Sequence, residues 1–398
     1  MLMAKTKNGK MFCLGDSYGK ETLITLRKKE EFFCPICEEK VILKLGDRKI
    51  FHFSHLKDGR CREFYENETE YHLAGKLKLY QWLRNQEIPA VLEFYDREIQ
   101  QRPDILFQYN QQKYALEFQC STITEEVFKQ RTINYLTHGY NPLWILGDKN
   151  LKCQYTGSAG ITSFQYLFLR KSTDGKLYIP SFSPDRNTLQ ILYSIFPYST
   201  KNALLRKSIF SLDKVKLSAL LDPPLGTMVN IDHWQKSAEN YKLNWSLYPS
   251  DQQRKFFLEI YYHHLNLFLL PSEIGLPTIH GLLFQTPPFI WQTYYYLDLL
   301  HNKRSGDMIS IHQLEKSLND RLAKKKIVLR NFPQIEKMNP LLAYFEYSCL
   351  LARLGVLVRK TPHLFQIKKP LIIPQTNREK EERTIEFFGQ NPQILEKN

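Results

Sequence analysis

Short apolar runs bounded by polar turns fill much of the first 150 residues, and two stretches among them carry the three- and four-residue step of a helix. Residues 10–14, 22–26, 41–45, 49–53 and 91–95 read as strands. The run from Tyr71 to Asn85 reads as a helix, with Leu73, Leu77, Tyr80 and Leu83 on one stripe. Two short apolar runs flanking a polar turn within Arg102 to Gln119 predict a β-hairpin. A helix from Thr124 to Leu136 and a buried strand from Pro142 to Gly147 follow. Beyond residue 150 the pattern predicts a mainly helical second half, with Ser250 to Leu269, Pro288 to Leu300 and Ser310 to Lys326 as its long helices. A boundary is expected between Gly147 and Gly160, where apolar residues thin out.

The hairpin carries the first candidate chemistry. Successive strand side chains point to opposite faces, so Glu117 and Gln119 share one face and Leu116 and Phe118 the other. Pro103-Asp104 heads the first strand. Asp104 and Glu117 would offer two carboxylates to one divalent cation, which takes oxygen ligands and activates water for phosphodiester hydrolysis. The competing reading is an ordinary hairpin with solvated acids. On the preceding helix Glu68, His72 and Lys76 stand at i, i+4 and i+8, within roughly an 80° sector. Such a ladder also occurs as plain support of an exposed helix.

Cysteine usage adds a second centre. Cys34-Pro35-Ile36-Cys37 lies between strand candidates, and His52, His55 and Cys61 follow. Two thiolates on a tight turn and two further ligands make a closed tetrahedral zinc site, structural rather than catalytic. Five candidates compete for four places, with Cys34 and Cys37 the firm ones and His55 next. A redox pair of thioredoxin type is disfavoured, since no parallel βαβ pattern surrounds it. The other four of the seven cysteines are scattered singly, against a secreted disulfide framework.

Hydrophobic residues at 43% supply packed cores, and no stretch approaches the roughly 18 uninterrupted apolar residues of a membrane span. The amino terminus lacks an apolar signal core, so a cytoplasmic location is expected. The net charge of +14 is uneven, about +2 for residues 1–150, +4 for 151–300 and +8 for 301–398. Such a balance suits a polyanionic partner. Near the end, Pro340 to Leu354 reads as a helix, and Val356 to Lys360 with Leu364 to Ile367 as a hairpin, the order of a winged helix. Lys324, Lys325, Lys326, Arg353, Arg359, Lys360, Lys368 and Lys369 surround it, which suits a DNA-binding module or a protein-interaction domain with a basic surface. The tail from Asn377 to Asn398 is expected to be partly mobile.

The order helix, strand, strand, strand, helix, strand, with an acid before the helix, Pro-Asp on the second strand and Glu-x-Gln on the third, resembles the core of the PD-(D/E)XK nuclease superfamily. The Cys-x-x-Cys segment, the Glu68-x-x-x-His72-x-x-x-Lys76 helix, the strand Ala115 to Ser121 and the pair Arg131-x-x-x-Tyr135 narrow the resemblance to the competence protein CoiA family, over residues 30–150.

The resemblance implies an α/β restriction-endonuclease-like core (63–150), preceded by a small β-rich zinc-ribbon-like segment (1–62) and followed by a mainly α-helical domain (151–398). It also implies a cytoplasmic bacterial protein of natural transformation, acting where imported single-stranded DNA is recombined alongside other competence or recombination proteins. Glu68, Lys76, Asp104, Glu117 and Gln119 take the catalytic places, with Mg²⁺ or Mn²⁺ on Asp104 and Glu117 and Glu68 assisting directly or through water. Gln119 stands where lysine is commonest, and glutamine can only hydrogen-bond; Lys76 is expected to supply the missing positive charge. His72 would move a proton, hold a carboxylate or contact DNA, and Arg131 and Tyr135, one turn apart, would either contact DNA or form a packing pair beside the sheet. The alternative is a nuclease fold without activity, serving as a DNA-binding platform that recruits recombination proteins.

Overall fold

The computed structural model describes the chain apart from residues 17, 47–49, 57–60, 62–67, 154–156, 227, 336, 337, 397 and 398. Its first sheet is antiparallel, in the order β2-β1-β3-β4-β5, from β1 (Met3–Thr6), β2 (Met11–Cys13), β3 (Phe32–Phe33), β4 (Lys40–Lys44) and β5 (His52–His55). Residues 22–26, expected as a strand, lie instead in helix α1 (Lys20–Lys29). Leu23 and Leu26 stand three apart, a helical step, and Arg27, Lys28 and Lys29 occupy the last turn, where the helix dipole favours cations. The run expected to begin at Lys49 starts as a strand at His52; residues 47–49 lie outside the described residues, as does Asn67 before the next helix.

The following elements fall in the predicted order: α2 (Glu70–Arg84), β6 (Ala90–Leu92), β7 (Ile105–Tyr109), β8 (Gln112–Gln119), α3 (Glu125–Thr137) and β9 (Tyr140–Gly147). The sheet does not stop there. β10 (Lys152–Cys153), β11 (Ser158–Gly160), the short helix α4 (Ser163–Tyr166), β12 (Arg170–Lys171), β13 (Leu177–Ser183), β14 (Thr188–Pro197) and β15 (Asn202–Ser211) come next. The strands join in the order β10-β11-β15-β14-β13-β9-β8-β7-β6, with β12 on β13. The β8–β9 and β9–β13 pairs are parallel and the others antiparallel.

The helical character expected from residue 151 onward is therefore corrected for residues 151–211. All seven residues of β13 are buried. A strand covered on both faces has no polar side to alternate with, so its period disappears from the sequence.

Helices α5 (Leu217–Leu221), α6 (Ile231–Leu247), α7 (Asp251–Tyr262) and α8 (Pro288–Leu299) lead into β16 (Met308–Ser310), α9 (Ile311–Ala323), α10 (Leu341–Arg353), β17 (Leu357–Thr361) and β18 (Leu364–Ile367). The last three strands form a small sheet in the order β16-β18-β17. An aromatic core of Trp291, Tyr295, Tyr344 and Tyr347 holds this part together.

The loop after α9 fastens it to the central sheet. The Arg330 guanidinium donates to the carbonyls of Leu282, Phe284 and Thr200 and lies 4.2 Å from the Tyr166 ring centre. Gln334 accepts from the Trp144 backbone N–H at 3.3 Å. The tail, expected to be partly mobile, holds two helices, α11 (Asn377–Gln390) and α12 (Pro392–Glu396). Leu395 is fully buried, and α12 docks on α6. Among the described residues no helix is long and apolar enough to cross a membrane.

Candidate functional site

The hairpin that carries the acids is set by a two-residue turn. Asn110 and Gln111 both have positive φ, 47° and 64°, between Tyr109 and Gln112, which pair across the strands. Positive φ at both central residues is the turn geometry whose twist matches paired strands. The register places Ile105 opposite Leu116 and so brings Asp104, one residue earlier, level with Glu117. Helix α2 lies over β8 at very close range. A Cβ on Gly75 would fall 1.9 Å from the Phe118 ring, so only glycine lets the helix approach this far. The Thr69 hydroxyl caps α2 by accepting from the His72 N–H.

Three acids, Glu68, Glu93 and Asp104, surround a lysine between α2 and the hairpin. Lys76 has no exposed surface; its ammonium donates to Glu68 and, at 2.5 Å, to Glu93, and lies 3.5 Å from Asp104 Oδ1. Asp104 Oδ2 accepts from the Phe118 backbone N–H at 2.9 Å and is 3.2 Å from His72 Nε2. Glu68, His72 and Asp104 can each bring one ligand atom within 4.8 Å of the others. The His72 ring stacks on Phe118 and is 19% exposed, the imidazole of the cluster that meets solvent.

Glu93 is the site residue that the sequence hid. It follows β6 with φ of 47°, uncommon for a residue with a side chain, and its backbone N–H donates to the Asp104 carbonyl at 3.0 Å. Its Oε2 accepts from the backbone N–H groups of Leu2 and Met3 at 2.9 and 3.3 Å, which ties β1 to the acid cluster. The Met1 amine lies 2.7 Å from Glu68.

Burial alone would raise every carboxyl here, but charge decides the outcome. Against that burial, Lys76 holds Glu68 and Glu93, and His72 with Lys76 holds Asp104, well below the usual carboxylate range. Glu117 goes the other way. Burial and the neighbouring Asp104 charge, only partly offset by Arg131, push it up to about 7.

Arg131, still partly exposed, and Tyr135 both meet Glu117, the packing arrangement beside the sheet. The Arg131 guanidinium and the Tyr135 hydroxyl, the latter at 2.5 Å, both donate to Glu117 Oε1. Tyr135 is fully buried. One turn of α3 thus grips one oxygen of the acid, and among the described residues Oε2 has no hydrogen bond. Gln119 is buried and its amide donates to the Ser121 carbonyl and hydroxyl at 3.0 and 3.1 Å, securing the end of β8.

The second centre gathers four of its five candidates. Cys34, Cys37, His55 and Cys61 bring ligand atoms within 4.8 Å of one another, and Cys37 Sγ lies 3.3 Å from His55 Nε2. His52 is left out, its Nδ1 bonded to the Ile50 carbonyl at 2.8 Å. Positions three apart on a strand face opposite ways, so one of the two histidines had to leave. Burial together with Cys61 and Cys34 pushes the Cys37 thiol up to about 12, and burial lowers His55. A bound cation would reverse the first effect.

The sheet and its cluster of buried acids make this a mixed α/β protein with a nuclease-like domain. Residues 68–225 match the nuclease-like domain of competence protein CoiA, a span that includes the strands added after residue 150. Residues 15–64 match the N-terminal domain of that family and residues 229–377 its C-terminal domain. The chain belongs to the competence protein CoiA family. It is similar to the competence protein CoiA of Bacillus subtilis (strain 168), with 28% identity over 346 residues, 86% of this chain and 91% of that protein. No solved structure matches.

Proposed function

We propose that the chain is a metal-dependent DNA nuclease of restriction-endonuclease-like fold that works in the cytoplasm during competence, on single strands taken up for recombination. The observation that carries this reading is the convergence of Glu68, His72 and Asp104, with Glu117 level with Asp104 across the hairpin and held at Oε1 by Arg131 and Tyr135.

The donors fit a hard divalent cation, being mostly carboxylate oxygens, with Asp104 and Glu117 as its holders and Glu68 beside them. When bound, Mg²⁺ or Mn²⁺ would polarise a phosphoryl oxygen and lower the pKa of water. The chain's own residues do the rest. Arg131 and Tyr135 fix the direction of Glu117, the Phe118 amide fixes Asp104, and His72 is placed to exchange a proton with solvent. Lys76 is a positioning residue: enclosed by Glu68 and Glu93, it holds the acids in place. Cys34, Cys37, His55 and Cys61 hold a structural zinc, for which thiolate and imidazole are the preferred ligands. Metal analysis of the purified chain should return one zinc, lost in Cys37→Ser; a full zinc content in that variant contradicts the assignment.

A second reading, a binding platform without cleavage that recruits recombination proteins, draws on Gln119 and Lys76. The first is tied to Ser121 and the second is enclosed, so neither presents an ammonium beside the acids to solvent. Labelled single- and double-stranded DNA incubated with the purified chain and Mg²⁺ or Mn²⁺ separates the two. The nuclease reading expects cleavage that Asp104→Ala abolishes. Binding without cleavage under all these conditions rejects it in favour of the platform.

A further inference from the structure

Between α7 and the turn after α9 lies a half-open cleft of about 1330 Å³, far along the chain from the acids. Its walls combine aromatic and cationic side chains. Tyr262, 76% exposed, and Trp245 both line it. Trp245 is partly exposed, whereas the other four tryptophans, Trp82, Trp144, Trp234 and Trp291, are buried. Lys255 stands on α7, and Lys324 and Lys326 on the opposite turn. Glu259, also in the wall, is paired with Arg321 and, at 2.6 Å, with Lys326, and Asp251 lies 3.9 Å from Arg254, so the cationic side of the cleft rests on Lys255 and Lys324. Among the described residues Lys255 and Lys324 have no ion-pair partner.

We infer that this cleft binds single-stranded nucleic acid, with bases stacked on Trp245 and Tyr262 and phosphates against Lys255 and Lys324. Solvent-accessible aromatic side chains beside Lys255 and Lys324 are what a strand with unstacked bases can use at once. A duplex hides its base faces within its own stack, and an acidic peptide would leave the aromatic surface without a matching face. The volume exceeds the roughly 300–1,000 Å³ of small-molecule pockets, which favours a strand over a mononucleotide. Helix α10, which sequence order suggested as a DNA reader, is less suited. Its one basic residue is Arg353, and its Glu346 is engaged by His280 and the Ile279 backbone.

The test uses the full chain and a fluorescein-labelled oligothymidylate of about 15 nucleotides, without added divalent metal, so that cleavage plays no part. Anisotropy should report binding and tryptophan emission should be quenched. Tyr262→Ala and Lys324→Ala should each weaken binding about fivefold or more, on the scale of one lost stacking or phosphate contact. Lys324→Ala should also flatten the slope of log affinity against log salt by about 0.7. Trp245→Phe should retain binding and lose the quench. Unchanged affinity in both Tyr262→Ala and Lys324→Ala overturns the inference, as does displacement of the oligonucleotide by an acidic polyglutamate at equal or lower concentration. Failure of the chain to cleave DNA leaves this result untouched, so the two proposals fall separately.

Discussion

Lys76 is the residue on which the acid cluster depends. A fully enclosed ammonium is stable only because Glu68, Glu93 and Asp104 surround it. A lysine that only supplied positive charge to the site could be cut to alanine with the fold nearly intact. The structure predicts the opposite: removal leaves Glu93 buried beside Glu68 and Asp104 without its nearest cation, and unfolding in urea should show a loss of about 3–5 kcal/mol. A loss below about 1 kcal/mol would show that water or a shift of the acids compensates. The spacing of Glu68, His72 and Lys76 was legible because residues four apart share a helix face. Glu93 was not, because the partners that give it meaning, the amides of Leu2 and Met3, lie 91 and 90 residues away.

At the scale of elements, the approach of α2 to β8 sets the geometry of the site. Gly75 was invisible as a site residue because hydrophobic period says nothing about where a helix must lack a Cβ. Gly75→Ala should push the helix off Phe118 and lower stability by about 1–3 kcal/mol, the usual cost of overpacking, despite alanine's better helix propensity. Thermal unfolding with a higher Tm in this variant would show that the Phe118 ring simply moves aside. The hairpin, α2, α3 and β9 could be read from the chain because each has a clear period or a turn at its end. Strands β13 and β14 could not, since burial on both faces erased the alternation. For Arg131 and Tyr135 the sequence leaves packing beside the sheet and contact with DNA equally open. An i, i+4 pair defines a helix face but not which neighbour that face meets.

In the whole molecule the acids, the Cys/His cluster and the basic aromatic cleft occupy separate parts of one chain. Glu93 binds β1 of the first sheet to the acid cluster, and Arg330 binds the C-terminal helices to the central sheet. The charge gradient read from the sequence is consistent with this division, with the acids near the hairpin and the excess of base behind it. That the sheet extends to residue 211 could be learned only from strand pairing between distant segments, such as β9 with β13.

The central claim is that the acids at the head of the hairpin form a divalent metal site. Glu117 gives it a pH signature. In the metal-free chain its carboxyl titrates at about 7 rather than at its ordinary 4.5, so its contribution to stability is present below about pH 4.5 and is lost as pH rises to about 7. A cation on Oε2 must displace that proton, so metal binding strengthens over the same rise. Titration of Mn²⁺ into the purified chain, followed by electron paramagnetic resonance at about pH 6 and about pH 8, reads this directly. Bound Mn²⁺ should be held more tightly at the higher pH and be lost in Asp104→Asn. Mn²⁺ bound equally well by Asp104→Asn would contradict the claim.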